Sequence, residues 1–289
     1  MLRRIRELGG WARQVRPDVA LSHNSYGQIV AAKMLGIRAV TAMDYERQPV
    51  NHLAFRLADT VLLPTALRHE GVRGQGASPA KTRFYDGLKE EIYLGDFEPD
   101  PDVLAKAGVT RKDDEVLVVA RTPPSGALYH RGGNSLFEQI IDALGQQPGV
   151  HCVVLCRRPE QRQALLDLKL RNLVLPERAL DARSLLHAAD LVIGAGGTMT
   201  REAALLGVPT VSVFAGPSPA VDRWLEGQGA MRRLRTLDEM PPLRRRPNEP
   251  RHPAELRARG EDLTRQFVAT IHRQPNGQTI RGDSARANG

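Results

Sequence analysis

The chain has 289 residues, 41% hydrophobic and 26% charged, a composition that fits a core-forming globular protein and excludes disordered, collagenous and disulfide-rich classes. At about 150 residues per domain the length predicts two domains, and no apolar run reaches the roughly 20 residues of a membrane helix. Net charge is +8, but residues 1–16 carry +4 and 232–289 carry +6, leaving the body at −2; with aromatics at 4%, no nucleic-acid groove is expected.

The basic N-terminal stretch Met1–Asp18 has no apolar h-region, so a secretory signal is not expected and the expected location is cytoplasmic. Leu2, Ile5, Leu8, Ala12 and Val15 share one face of a helix. That face predicts packing on a sheet. Five arginines in the same stretch also suit weak association with an anionic membrane, peripheral to its inner face.

From Pro17 short β-branched runs alternate with helical patterns, the signature of parallel α/β architecture. Strands are expected at Val19–Ser22, Arg38–Ala42 and Thr60–Leu63, with helices at Gly27–Leu35 and Asn51–Ala58. After the loop Gly71–Gly76 come Lys81–Gly95 and a Pro-broken acidic segment. A second series follows, with strands at Glu115–Ala120, Val150–Cys156, Leu173–Leu175, Leu191–Ile193 and Val208–Phe214. Its helices are expected at Ser135–Leu144, Glu160–Leu168, Ala182–Ala189 and Thr200–Leu206. One more helix, Pro253–Arg273, carries Leu256, Leu263, Phe267 and Ile271.

The expected organisation is a partial N-terminal domain (1–80), a linker (81–102), a C-terminal Rossmann-like domain (103–240), a basic segment with a helix (241–273) and a disordered tail (274–289). The N-terminal half has three predicted strands, which leads us to expect a domain about 80 residues short of a full one.

Cys152 and Cys156 fall in one strand, where four residues span about 13 Å, beyond disulfide reach. Inert core thiols are expected. The eight histidines lack metal-ligand spacing, so no metal site is expected. Asp100-Pro-Asp102 spells a metal–diphosphate motif, but no strand precedes it and it reads as a solvated turn.

The strongest chemical signal is Leu191-Val-Ile-Gly-Ala-Gly-Gly-Thr-Met-Thr-Arg-Glu-Ala-Ala-Leu-Leu-Gly-Val-Pro209, a strand, a glycine turn and an immediate helix. Such a turn exposes backbone N–H groups to a phosphate, and the helix N-terminus adds about half a positive charge. Thr198 and Thr200 are candidates to cap that helix and to donate to phosphate. Glu202, one turn in, is placed to accept from ribose hydroxyls.

These residues, with Leu173-Val-Leu-Pro-Glu-Arg178 and His187-Ala-Ala-Asp190, resemble the nucleotide-sugar site of GT-B glycosyltransferases. The likeness extends to the N-acetylglucosaminyltransferase of peptidoglycan synthesis and, more distantly, to UDP-N-acetylglucosamine 2-epimerases. Closer still is domain-of-unknown-function family 354. Its habits stand here as His23-Asn-Ser, Tyr85-Asp-Gly-Leu-Lys-Glu-Glu-Ile-Tyr-Leu94, Arg121-Thr-Pro-Pro124 and Ala220-Val-Asp-Arg-Trp224.

The resemblance implies a GT-B-like fold of two Rossmann-like domains, the N-terminal one incomplete. It assigns Glu202 to the ribose, Gly196, Gly197 and Thr198 to the diphosphate, and Arg178 and Ala179 to the base-reading loop. Arg121, Thr122 and Arg157 are anion candidates at strand ends. In the N-terminal half it leaves His23 as general base, with Asp44 beside the position of an epimerase glutamate. Ser25 stands where the epimerase holds a catalytic aspartate.

The implied function is a nucleotide-sugar-dependent, metal-independent, inverting glycosyltransferase of surface-polysaccharide assembly. Its co-substrate would be UDP-linked, its acceptor a glycan or lipid-linked acceptor, and it would need no other cofactor. A hexosamine 2-epimerase and a non-catalytic nucleotide-sugar-binding protein are the alternatives.

Overall fold

Four short strands, β1 (Val19–His23), β2 (Arg38–Ala42), β3 (Thr60–Pro64) and β4 (Thr82–Tyr85), pair in that order and all in parallel. Helices α1 (Leu2–Val15), α2 (Tyr26–Met34) and α3 (Asn51–Leu57) alternate with them. β3 is buried at every position, which is why Thr-Val-Leu-Leu reads as an unbroken apolar run. In this computed structural model, residues 1–124, 135–246 and 253–272 are described. The chain divides into unit 1, Met1–Lys89 with Pro219–Val221 and the chain from Glu261, and unit 2, Glu90–Ser218 with Asp222–Gly260.

Unit 2 holds α4 (Lys89–Leu94, from its second residue), α5 (Val103–Lys106) and six parallel strands. These are β5 (Val116–Arg121), β6 (Val150–Leu155), β7 (Leu173–Val174), β8 (Leu191–Gly194), β9 (Thr210–Ser212) and β10 (Arg232–Arg233), ordered β10-β9-β8-β5-β6-β7. The intervening helices are α6 (Ser135–Gln146), α7 (Pro159–Asp167), α8 (Ala182–Ala188), α9 (Thr198–Leu205) and α10 (Ala220–Gly227). Along β5, Val118 and Ala120 face a core with Ile140, Ile141 and Leu144 of α6. Leu117 and Val119 face the opposite core, with Leu185 and Leu186 of α8 and Ala203 of α9. The period-2 alternation thus feeds two cores, one on each face.

Several expectations are corrected. Unit 1 has four parallel strands, not three, and residues 81–102 are not a linker, since they hold β4 and α4. β4 escaped the pattern because an edge strand keeps one side polar: Arg83 is exposed within it while Thr82 and Tyr85 are buried. β10 is likewise hidden inside an arginine pair of the basic region.

The basic segment 241–273 also contributes to the fold. Arg246 donates its backbone N–H to Asp190 Oδ1 at 3.0 Å and its Nε to the Ala189 carbonyl at 2.6 Å. α11 (Pro253–His272) contributes residues to both units. In unit 1 its Phe267 stacks edge-on against Tyr85 at 4.9 Å, and Arg38 donates to the Thr270 and Ile271 carbonyls at 3.1 and 2.6 Å. The expected disordered tail 274–289 lies outside the described residues, as do 247–252 of the basic segment.

β1 is an edge strand of its sheet. Beside it, Leu8, Trp11, Leu21 and Ile37 line a cavity of about 370 Å3, with Trp11 55% exposed.

Candidate functional site

β8 is buried throughout and ends in the glycine turn. A Cβ on Gly194 would stand 2.3 Å from Thr200 Oγ1, so only glycine lets α9 fold back this closely on the strand. Gly196 (φ +77°) and Gly197 (φ +89°) occupy the left-handed region. α9 begins at Thr198 rather than Thr200, and Gly197 is its N-cap, with no side-chain cap. The expectation that Thr198 and Thr200 cap the helix is therefore corrected. Thr200 is buried and its hydroxyl donates to the Gly196 carbonyl at 3.3 Å, tying the turn from inside. Thr198 and Gly197 are exposed, and the first turn of a helix leaves its N–H groups without an intrahelical partner.

Beneath the turn lies a buried charge cluster. Arg201 Nε donates to Asp222 Oδ1 at 2.9 Å, and its guanidinium stands 4.0 Å from Glu90. Asp222 is 3.2 Å from where a Gly196 Cβ would lie, so the turn rests on it. Glu202, 7% exposed, accepts the Tyr93 hydroxyl at 2.7 Å.

On the next strands the arginines gather. Arg121, Arg157, Arg158, Arg162 and Arg178 line one cavity of about 480 Å3 with a single acid, Glu177; Ala179 and Cys156 also line it. Arg121 ends β5 in register with Leu155 of β6. Its Nε has no hydrogen-bond partner among the described residues. Burial, and then the neighbouring Arg157 charge, pull its pKa below the usual guanidinium value. An anion in this cavity would offset the repulsion between the Arg121 and Arg157 guanidinium groups.

Thr122 differs from what its position suggested. It is fully buried; its hydroxyl donates to Gln161 Oε1 at 2.8 Å and accepts the Arg157 backbone N–H at 3.1 Å. Its carbonyl accepts Arg157 Nε at 2.9 Å. Thr122 thus positions Arg157 and is not itself open to a ligand. Cys152 is a fully buried thiol, with its pKa pushed up to about 12 by burial. Cys156, just past the end of β6, is half-buried and packs against the edge of the same core.

In unit 1, His23 ends β1, and its Nε2 stands 3.5 Å from Asp44 Oδ2, too far for a good hydrogen bond. Lys89 Nζ takes the same carboxylate oxygen at 2.6 Å. Ser25 is the N-cap position of α2. Glu46, buried two residues beyond Asp44, accepts the Ala220 backbone N–H at 3.1 Å.

Asp100-Pro-Asp102 is a turn: the Asp102 N–H donates to Asp100 Oδ1 at 3.0 Å and Lys106 pairs with Asp100. Among the described residues no three His, Cys, Asp or Glu cluster to hold a metal. No described helix is long and apolar enough to cross a membrane.

Lys89, Tyr93, Gln161 and Asp222 were not singled out from the sequence. Three of them lie in segments already quoted as family habits, Tyr85–Leu94 and Ala220–Trp224, so the signal was present without a role attached.

A family model described as a protein of unknown function (DUF354) matches residues 1–272. The chain belongs to the DUF354 family. It is 30% identical over 217 residues to an uncharacterized protein of Methanocaldococcus jannaschii, covering 73% of this chain and 61% of that one. It is also 33% identical over 112 residues to the lipid-A-disaccharide synthase of Pseudomonas savastanoi pv. phaseolicola, covering 38% and 29%. The chain therefore spans less than two thirds of the length of these relatives. Among solved structures, the UDP-GlcNAc 2-epimerase of Neisseria meningitidis bound to UDP-GlcNAc shares the fold at TM-score 0.66 and 14% identity, covering 92% of this DUF354 chain and 80% of that one. The DUF354 chain thus has a GT-B-like fold with two Rossmann-like parallel sheets.

Proposed function

We propose that this chain binds a UDP-linked sugar through unit 2 and transfers the sugar, without a metal, to a glycan or lipid-linked acceptor in surface-polysaccharide assembly. The observation that carries the reading is topological. In the order β10-β9-β8-β5-β6-β7 the winding reverses between β8 and β5, and ligands of open α/β sheets bind beyond the strand ends at such a switch. The glycine turn follows β8, and Arg121 ends β5. Gly196, Gly197, Thr198 and the α9 N-terminus would take the diphosphate, Glu202 the ribose, and the Arg178–Ala179 loop the base. Arg121 and Arg157 would neutralise the departing nucleoside diphosphate, the work a metal does in other transferases. Thr122 and Thr200 serve by positioning. His23 would be the general base on the acceptor hydroxyl, with Asp44 stabilising the imidazolium as it forms.

The sequence likeness to a lipid-A-disaccharide synthase supports transfer over epimerisation, as does Ser25 in place of a catalytic carboxylate. Calorimetry with UDP and UDP-sugars tests the site. Glu202→Ala is expected to weaken UDP about tenfold or more, the worth of a charge-assisted hydrogen bond; unchanged binding would refute the assignment. NMR product analysis with UDP-N-acetylglucosamine alone identifies an epimerase, which needs no acceptor. Tight UDP binding without turnover across acceptors would favour a non-catalytic role.

Weak association with an anionic membrane belongs to the same proposal, supported by Arg3, Arg4, Arg6 and Arg13 on α1 beside the exposed Trp11. Co-sedimentation with phosphatidylglycerol vesicles, lost in high salt or in Trp11→Glu, is the expected outcome.

A further inference from the structure

Tyr93 projects from α4, a helix of six residues pinned on several sides. Leu94 is buried in the core with Leu185, Leu186 and Ala203. Glu91 pairs with Arg259 at 3.1 Å, and its carbonyl is so close to α11 that a Cβ on Gly260 would meet it at 2.6 Å. Glu90, 4.0 Å from the buried Arg201, is itself buried. A tyrosine has two side-chain torsions, so a ring on such an anchor points in a nearly fixed direction. Its hydroxyl donates to Glu202 Oε1 at 2.7 Å.

Glu202 has the opposite character. It has three torsions, and outside a packed setting it would divide its time among many rotamers. A carboxylate that must meet two ribose hydroxyls needs one of them. Arg201, its neighbour in sequence, is held by Asp222. We propose that Tyr93 is the positioning residue for Glu202, fixing the carboxylate in the rotamer that meets the ribose hydroxyls. The inference rests on the nucleotide-sugar reading above.

Three features fit this role. An ionised carboxylate has about four acceptor sites, so the bond from Tyr93 does not by itself exhaust them. Burial and the Glu202 charge both push the Tyr93 pKa above its ordinary value, so the hydroxyl keeps its proton and remains a donor. The Tyr93 residue is 37% exposed, so it stands at the surface and not deep in the core.

The test compares UDP with 2′,3′-dideoxy-UDP by calorimetry, in the intact chain and in three variants. The wild type is expected to prefer UDP by about tenfold or more, an advantage near 1.4 kcal/mol. Tyr93→Phe is expected to lose most of that preference, weakening UDP about five- to tenfold while leaving the dideoxy ligand unchanged. Tyr93→Gln, which restores a donor on another arm, is expected to keep part of the preference. Thermal melting checks that each variant folds.

If UDP does not bind, or Glu202→Ala leaves its affinity unchanged, the nucleotide-sugar reading falls and this inference with it. If Glu202→Ala abolishes the preference while Tyr93→Phe retains it, only the role of Tyr93 is overturned. Equal weakening of both ligands in Tyr93→Phe would also overturn it, because a merely structural side chain does not distinguish ribose hydroxyls.

Discussion

Arginine has two different tasks in this chain, and a count of positive charge does not separate them. Arg38, Arg233 and Arg246 spend their donors on backbone carbonyls, Arg233 on those of Phe214 and Gly216 at 3.1 and 2.7 Å. Arg111 is almost wholly buried on Asp190 at 2.7 Å, and the same carboxylate oxygen accepts the Leu117 N–H. Of the arginines of the 480 Å3 cavity, Arg157 and Arg162 each donate to a backbone carbonyl, of Thr122 and Leu175, whereas Arg121 Nε has no hydrogen-bond partner among the described residues. Arg111→Ala is therefore expected to cost about 3–5 kcal/mol of stability by stranding a buried carboxylate. Arg121→Ala should change stability little and weaken UDP binding. Denaturant titration and calorimetry on the two variants distinguish the tasks; the reverse pattern would refute the division.

His187 sets a pH dependence at the same scale. Burial, then the nearby Arg246 charge, lower its pKa below the ordinary 6.5, and its Nε2 has no hydrogen-bond partner among the described residues. As pH falls below 6.5 the unfolded chain takes up a proton that the folded chain refuses. Stability is then expected to decline with falling pH until the folded pKa is passed. His187→Phe, which keeps a ring against Phe97, should flatten this part of the stability–pH curve. An unchanged curve would show that other groups govern it.

Among elements, the glycine turn and α9 were the most legible in the sequence, because glycine conformation and helix entry are decided locally. Even so, α9 starts at Thr198, two residues before the expected Thr200. Thr198 and Thr200 have good capping chemistry, but the 2.3 Å approach between Gly194 and Thr200 directs that hydroxyl into the turn. Gly194→Ala is expected to cost about 1–3 kcal/mol by forcing this contact apart, and to weaken UDP binding by shifting the turn. Melting and calorimetry together check both effects. β4 and β10 were illegible for the converse reason: an edge strand with arginine on its open side lacks the apolar alternation that identifies a strand.

At the scale of the molecule, α11 is the element whose role depends most on distance. Its periodicity predicts a helix, yet nothing local says that Phe267 meets Tyr85 or that Arg38 closes its last carbonyls. Phe267→Ala is expected to destabilise unit 1 by about 2 kcal/mol, below the full-burial cost because the ring is only half-buried. Hydrogen exchange across β2 and β4 measures it.

The sequence by itself determined the alternation of strand and helix, the parallel α/β class and the glycine turn, since each follows from periodicity or backbone freedom over a few residues. Only the tertiary structure decided that β8 lies beside β5, which arginines line a cavity and which cap carbonyls, and that Tyr93 reaches Glu202 across 109 residues of chain. Those outcomes are pairings between distant segments. Local propensity carries no information about them, and the packing of two cores on one sheet does.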